Sequence, residues 1–440
     1  MVVPPEFLKS LTKRLGVSDG ELEVLLDTLE GEDLNTIAQK LGIQRNALQK
    51  RLGEVYRKFR IEGSGPGKFA KLQKVILEEY QKQRENLQTD SATHSHFYWE
   101  NAPIVGTFYG RKEELSHIKQ YLIRERCPLV ALLGMGGIGK SVFTAHLVEQ
   151  IATHYDHIIW RNLPSSSVPT LETLLTDLMI GLQSEEETEM QRNDSPTITD
   201  LIAKMQRDRC LIILDRFETL FQEKNWAGYY QKGYESYGEL LKQIAQTRHQ
   251  SSLLILSRET PLEVMSLAGN DTPTRIFTLK GFTPTTVQEF LTGKGLNYDD
   301  SQLSQLISDY SGHPIALNQI VTTVQTLFNG NLQDLFATNT IFVGEILATY
   351  FAEQLNRLSP LEEQVINQIA IAPQGLTLNE IAKELPDSLD LSYIITALNS
   401  LDRRCLLEKI TPDQVTKFTL IPSLKKHISL QQSTTPKSQV

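Results

Sequence analysis

Two stretches of the chain hold residues whose types and spacing suit nucleotide chemistry. The first, LLGMGGIGKS at 132–141, fits G-x-x-x-x-G-K-S/T, running Gly134, Met135, Gly136, Gly137, Ile138, Gly139, Lys140, Ser141. Glycine is needed there because several backbone N–H groups must converge on one phosphate through dihedrals that a β-carbon hinders. Lys140 should reach the β- and γ-phosphates and the Ser141 hydroxyl should ligate Mg2+, with Val142 closing the nucleotide-binding set. The second stretch is LIILDRFE at 211–218. Its apolar run ends at Asp215, which can hold the magnesium through water. Arg216 follows and cannot act as a base, so Glu218 is the nearest carboxylate able to orient an attacking water. The competing reading makes Glu218 an ordinary surface carboxylate. A third apolar run, SLLILSRE at 252–259, ends in Ser257 and Arg258. An arginine at that end of a parallel strand lies on the ligand side and can sense a γ-phosphate, or else serve as a plain ion-pair partner. Lys140, Asp215, Glu218 and Arg258 are therefore the catalytic candidates, and Ser141 with Asp215 the metal candidates.

Positioning these groups requires a buried parallel sheet. LVALLG, HIIWRNL, CLIILD, SLLILS and IFTLKGF are the strand candidates, separated by amphipathic helical stretches;. The glycine-rich loop follows an apolar strand and precedes the helical run SVFTAHLVEQIA, so the helix dipole points at the anion;. The fold expected is multidomain, built around an α/β P-loop NTPase domain. An all-α helix-turn-helix domain occupies 1–86, a polar linker 87–103 and the P-loop domain 104–283. A helical domain over 284–340, a winged helix over 341–430 and a disordered tail over 431–440 complete it. SEEETEMQRNDSP at 184–196 reads as a mobile surface loop.

Composition narrows the function classes. With 44 Lys and Arg against 53 Asp and Glu the net charge is −9, which argues against a surface coated in basic residues for nucleic acid;. Cys127, Cys210 and Cys405 are far apart and odd in number, so no disulfide framework or zinc spacing is present and buried filler is expected;. No apolar run approaches the ~20 residues a bilayer span needs, and the N-terminus lacks a signal-peptide pattern. A cytoplasmic location is expected. Trp99, Trp160 and Trp226 read as packing anchors.

The N-terminal segment is polarised. Residues 17–33 carry seven acids and no base, whereas 34–60 carry seven bases and only Glu54. DLNTIAQKL, a turn at Gly42 and QRNALQKRLGEVYRKF form a helix-turn-helix pattern. If its second helix enters a major groove, Gln44, Arg45, Asn46 and Gln49 lead towards base edges, with Lys50, Arg51 and the later bases meeting phosphates. A basic helix facing acids on its own domain or on a protein partner carries the same charge pattern. The sequence leaves DNA and protein open.

FYGRKEEL (108–115), the glycine-rich loop, CLIILDRFETLF, AGYYQKGYESYGELL, SLLILSRE and SGHPIAL (311–317) together resemble bacterial NB-ARC proteins, of the type abundant in cyanobacteria. These belong to the STAND class of signal-transduction P-loop ATPases. The N-terminal segment resembles LuxR-like and vWA-MoxR-associated helix-turn-helix domains. The resemblance implies that Gly110 and Arg111, with Glu114, lie near the nucleotide, that Arg258 is the sensor, and that Pro314 packs on adenine. It also implies ATP/ADP and Mg2+ as cofactors, a protein signalling partner and a nucleotide-dependent homo-oligomer. Two departures stand out: Arg216 replaces a second acid, and Ile421 takes the place of the histidine that contacts ADP phosphate. The C-terminal WD-repeat array frequent in such relatives is absent from these residues. The expectation is a slow ATPase acting as a switch with output through the helix-turn-helix; a nucleotide-gated DNA-binding regulator and a nucleotide-holding scaffold are the alternatives.

Overall fold

The structure is a computed structural model. It describes residues 102–434 except 183–194, 270 and 387, the strand at 96–99, and parts of 11–75 that include 17–30 and 43–59 without a break. The chain separates into two compact units, Met1–His94 and Ser95–Val440. Among the described residues no helix is long and apolar enough to cross a membrane.

In the first unit, α1 (Asp19–Glu30) and α2 (Arg45–Lys58) pack through Val24, Leu25, Leu48, Leu52 and Val55, all buried. Those positions on α2 fall at i, i+4 and i+7, one apolar stripe on an otherwise polar helix. Most of DLNTIAQKL, all of EGSGPGK and most of the charged stretch up to 86 lie outside the described residues.

The second unit begins with a strand, β1 (His96–Trp99), followed by α3 (Lys112–Lys119), β2 (Leu129–Leu133), α4 (Lys140–Ile151) and β3 (His157–Asn162). Then come α5 (Leu171–Gly181), α6 (Ile198–Arg207), β4 (Cys210–Asp215), α7 (Ser236–Gln246), β5 (Ser252–Ser257), α8 (Leu262–Leu267) and β6 (Thr274–Thr278). The six strands form one sheet in the order β1-β3-β4-β5-β2-β6, each paired parallel with its neighbours. β2, β4 and β5 are buried along their whole length, as continuous Leu/Ile/Val runs require;. Alternate residues feed opposite faces. Leu129, Ala131, Ile212, Leu214, Leu253 and Ile255 pack with α5, α6 and α7, while Val130, Leu132, Leu211, Ile213, Leu254 and Leu256 pack with α3 and α4.

One expectation is corrected at the start of this unit. The aperiodic stretch read as linker contains β1, which pairs His96 to His157 through Trp99 to Trp160. HFYW is an edge strand too short to show a period, and its aromatic content, read as linker, is what holds it: Trp99 stacks on Trp160 at 6.3 Å;. The last strand also begins earlier than read, at Thr274. The stretch expected as a mobile loop falls largely in 183–194, outside the described residues.

After the sheet the chain is helical: α9 (Pro284–Gly293), α10 (Asp300–Tyr310), α11 (Pro314–Leu327), α12 (Leu332–Phe336) and α13 (Glu345–Leu355). Next come α14 (Pro360–Ile371), α15 (Leu378–Lys383), α16 (Leu391–Arg403), the antiparallel hairpin β7 (Glu408–Ile410)–β8 (Lys417–Thr419), and α17 (Pro422–Thr434). Capping boxes at Ser359 and Thr377, with Pro360 and Leu378 at N1, start α14 and α15;. An isolated bridge ties Leu376 to Phe418 of the hairpin. Four helices from α13 on precede the hairpin, with Ser359 and Pro360 starting a new one after Leu358. α17 runs on to Thr434, so residues 431–434, expected in a disordered tail, are helical; residues 435–440 lie outside the described ones. One core, from Val287 to Ile428, unites all these helices and takes in Met135 of the glycine-rich loop.

Candidate functional site

The strand order does the positioning. β5 lies between β2, which leads into the glycine-rich loop, and β4, which ends at Asp215. Leu133 is level with Ser257, and Leu256 with Asp215. The loop, Asp215 and Arg258 therefore emerge side by side at the carboxyl edge of three adjacent parallel strands, where open α/β sheets bind ligands.

Within the loop, Gly134, Gly137 and Gly139 have positive φ of 152°, 80° and 100°, a region closed to most L side chains;. Gly139 caps α4, whose first residue is Lys140. Lys140 Nζ donates to Gly134 O at 2.7 Å and Met135 O at 3.1 Å, spanning the loop. Burial pushes its ammonium downward, and the Glu218 carboxylate opposes that shift. Asp215 is buried, and desolvation raises its carboxyl above the usual range while the Ser141 hydroxyl, hydrogen-bonded to it, lowers it. A hydroxyl and a carboxylate side by side, both hard oxygen donors, fit a magnesium ion that keeps most of its waters. Asp215 Oδ1 also accepts the Arg216 N–H at 2.8 Å; Arg216 is left-handed (φ 63°) and starts a 3-10 turn.

Glu218, on that turn, is 6% exposed. Its Oε2 accepts the Arg258 backbone N–H at 3.1 Å and its Oε1 faces Arg258 Nε at 3.2 Å. The surface reading of Glu218 is thereby corrected: it is a buried, oriented carboxylate whose partner is the candidate sensor. Arg258 is further paired to Glu353 Oε2 at 2.8 Å and lies over the Tyr350 ring at 5.3 Å. Both residues come from α13.

The motif around Gly110 and Arg111 buttresses the loop from behind. Arg111 is left-handed and buried; its Nη1 donates to Lys280 O at 2.6 Å and pairs with Glu114 at 3.0 Å, and the guanidinium lies over Phe282 at 4.9 Å. Gly110 is pressed on α9, where a β-carbon would meet Thr286 Oγ1 at 2.2 Å. Pro314 opens α11, half-buried, and Val142 is half-exposed on α4. Ile421 sits in the helical core, next to the Pro422 that starts α17.

Two contacts on the loop come from residues not read as site residues in the sequence. His313 is 1% exposed, and its Nε2 lies 3.1 Å from Gly136 O. Burial pushes its imidazole down to about 4, with Lys140 and Arg111 adding to the shift. Gln354 of α13 is buried, and its Oε1 accepts the Gly136 N–H at 2.9 Å. The hints the sequence carried were the place of His313 in SGHPIAL and a glutamine within the mostly apolar run EILATYFAEQL.

The NB-ARC domain family matches residues 111–283, the span holding Arg111, the loop, Asp215 and Arg258. The chain carries an NB-ARC domain. Its relatives include an uncharacterized WD repeat-containing protein of Nostoc, 32% identical over 350 residues, covering 77% of this chain. The chain spans only 27% of that relative's length. Among solved structures, the Walker-type ATPase of Pyrococcus abyssi is 14% identical with a TM-score of 0.50, over 73% of this chain and 96% of that one, which shows a shared fold. A tetratricopeptide-sensor STAND protein of Pyrococcus horikoshii aligns at 18% identity and a TM-score of 0.39, over 77% of this chain and 47% of that one. Within the matched span the glycine-rich loop, the magnesium candidates and the candidate sensor Arg258 lie at one sheet edge.

In the N-terminal unit, Gln44, Asn46 and Lys50 are exposed on or beside α2 and Arg51 is half-buried near Gly20. Arg45 and Gln49 lie on the same helix, their side chains outside the described residues. Lys58 instead pairs with Glu21 of α1 at 2.5 Å, and Arg57 with Glu54 at 2.6 Å.

Proposed function

We propose that the protein is a STAND-type signalling switch that binds ADP or ATP with Mg2+ in its NB-ARC domain and couples slow hydrolysis and exchange to domain opening. The observation that carries this reading is that the glycine-rich loop touches the helical region at His313 and Gln354, and that the sensor Arg258 touches it at Glu353. A terminal phosphate entering the cradle would meet these contacts, which tie the loop and Arg258 to the helical region and to the winged helix we read over 341–430. Lys140 would bind the β- and γ-phosphates, Ser141 and Asp215 the magnesium, and Pro314 the base. Mg2+, when bound, would neutralise phosphate charge. Glu218, held by Arg258, would orient the attacking water; Arg216 beside it supplies no base, consistent with slow turnover.

Output through the N-terminal helix-turn-helix, in the cytoplasm and through a protein partner or a homo-oligomer, completes the proposal. A second reading, a DNA-binding regulator gated by nucleotide, draws on the exposed Gln44, Asn46 and Lys50. The first test is to denature freshly purified protein and identify the nucleotide released. ADP at near one per chain is expected, and Lys140→Ala should release none. Nucleotide retained undiminished by the lysine variant would overturn the assignment.

A further inference from the structure

The last turn of α13 meets the phosphate cradle with two oxygen acceptors on consecutive residues. Gln354 Oε1 takes the Gly136 N–H at 2.9 Å, and Glu353 Oε2 takes Arg258 Nη1 at 2.8 Å. A β-carbon built on Gly136 would lie 3.1 Å from Tyr350 Cδ1, 3.2 Å from Arg258 Cζ and 3.2 Å from Gln354 Oε1. Three side chains, two of them from one helix face, thus converge on a single spot beside the loop. Gln354 is 3% exposed, and its Nε2 points to Arg404 O, so its amide has little freedom to turn away.

Gly136 N–H and the Arg258 guanidinium are the donors that a terminal phosphate would seek. We propose that Glu353 and Gln354 act as an internal stand-in for the γ-phosphate and thereby set a preference for the diphosphate over the triphosphate. This rests on the proposed reading of Arg258 as sensor and deepens it. A β-phosphate held by Lys140 and the later loop amides leaves both α13 contacts in place. A γ-phosphate competes for both donors and brings its charge against the Glu353 carboxylate. By linkage, whatever α13 costs the triphosphate, the triphosphate returns as a bias against the docked position of α13. Specificity here is a difference of two affinities, created by an occupant that only one ligand must displace.

The test measures dissociation constants of ADP and ATPγS, each with Mg2+, on the full chain by calorimetry. Wild type is compared with Glu353→Gln, Gln354→Ala and the double variant. The ratio of the ATPγS constant to the ADP constant should fall about tenfold in the double variant, with the ADP constant changed less than about threefold. Gln354→Glu keeps an acceptor and adds charge, so it should raise the ratio. Thermal melts identify any variant that fails to fold, and Glu353→Gln, at a half-exposed position, then carries the test together with Gln354→Glu. An unchanged ratio, or ADP and ATPγS constants moving in parallel, would overturn the inference while leaving nucleotide binding intact. Wild type that binds neither nucleotide would overturn the switch reading as well.

Discussion

His313 shows how much a single residue can depend on its surroundings. In sequence it is one histidine of nine, without a metal-spaced partner. In the structure it is buried against Gly136 O, beside Lys140 and Arg111, and held neutral with its imidazole pushed down to about 4. Because the folded state resists a proton that the unfolded chain accepts near pH 6.5, its contribution is fully present above that pH. It is lost progressively as pH falls from about 6.5 towards about 4. His313→Gln should remove up to about 3 kcal/mol of this acid sensitivity, read as a flatter urea-stability profile between those pH values. Equal slopes for variant and wild type would show that His313 titrates freely. Glu218 teaches the same dependence on surroundings. The sequence offered it as the nearest carboxylate or as surface, and only its two contacts with Arg258, forty residues away in the chain, decide between them.

Elements meet at a charged seam. Glu259, one residue past Arg258, is 2% exposed and faces Arg357 Nε and, at 2.6 Å, Arg404 Nη1. Arg404 also pairs with Glu362 at 2.9 Å, and Arg357 donates to Glu218 O at 2.9 Å and Phe221 O at 3.1 Å. The end of β5 and the turn after β4 are thus bolted to α14 and to the connections flanking α13 and α16. Removing one partner of such a buried set leaves charge uncompensated, so Glu259→Gln should cost about 3–5 kcal/mol in denaturant unfolding. A loss below about 1 kcal/mol would mean that the seam is solvated and weak. Backbone crossings constrain the same region: Gly312 has φ 67°, and a β-carbon there would meet Phe282 O at 2.2 Å. Gly312→Ala should therefore lower the melting temperature through both strain and clash, whereas substitution at Gly330, which has open space around it, should cost strain alone;.

For the whole molecule, the question is which surface reports the nucleotide state. The basic helix α2 has six bases on it or just after it, and Lys58 and Arg57 are already paired with Glu21 and Glu54, which leaves at most four others for phosphates. If it docks on DNA, the log–log salt slope should lie near −4, milder than the value near −5 that six phosphate contacts would give. Anisotropy titrations between low and moderate salt read this directly, and the absence of any binding would direct the output to a protein partner. The sequence by itself determined the strand–glycine loop–helix unit, the parallel sheet and the helical region that follows it, because those rest on local signals: glycine spacing, continuous apolar runs and helical periodicity. It also placed Asp215 and Arg258 at strand ends, since a buried run followed by a polar residue marks an edge. The tertiary structure alone decided the edge strand His96–Trp99, whose four residues are too few for a period. It alone brought His313, Glu353, Gln354 and Glu259 to the site, because their roles arise from contacts up to some two hundred residues apart in the chain. Such contacts leave no periodic trace, since each is set by how strands and helices pack and not by what precedes or follows the residue.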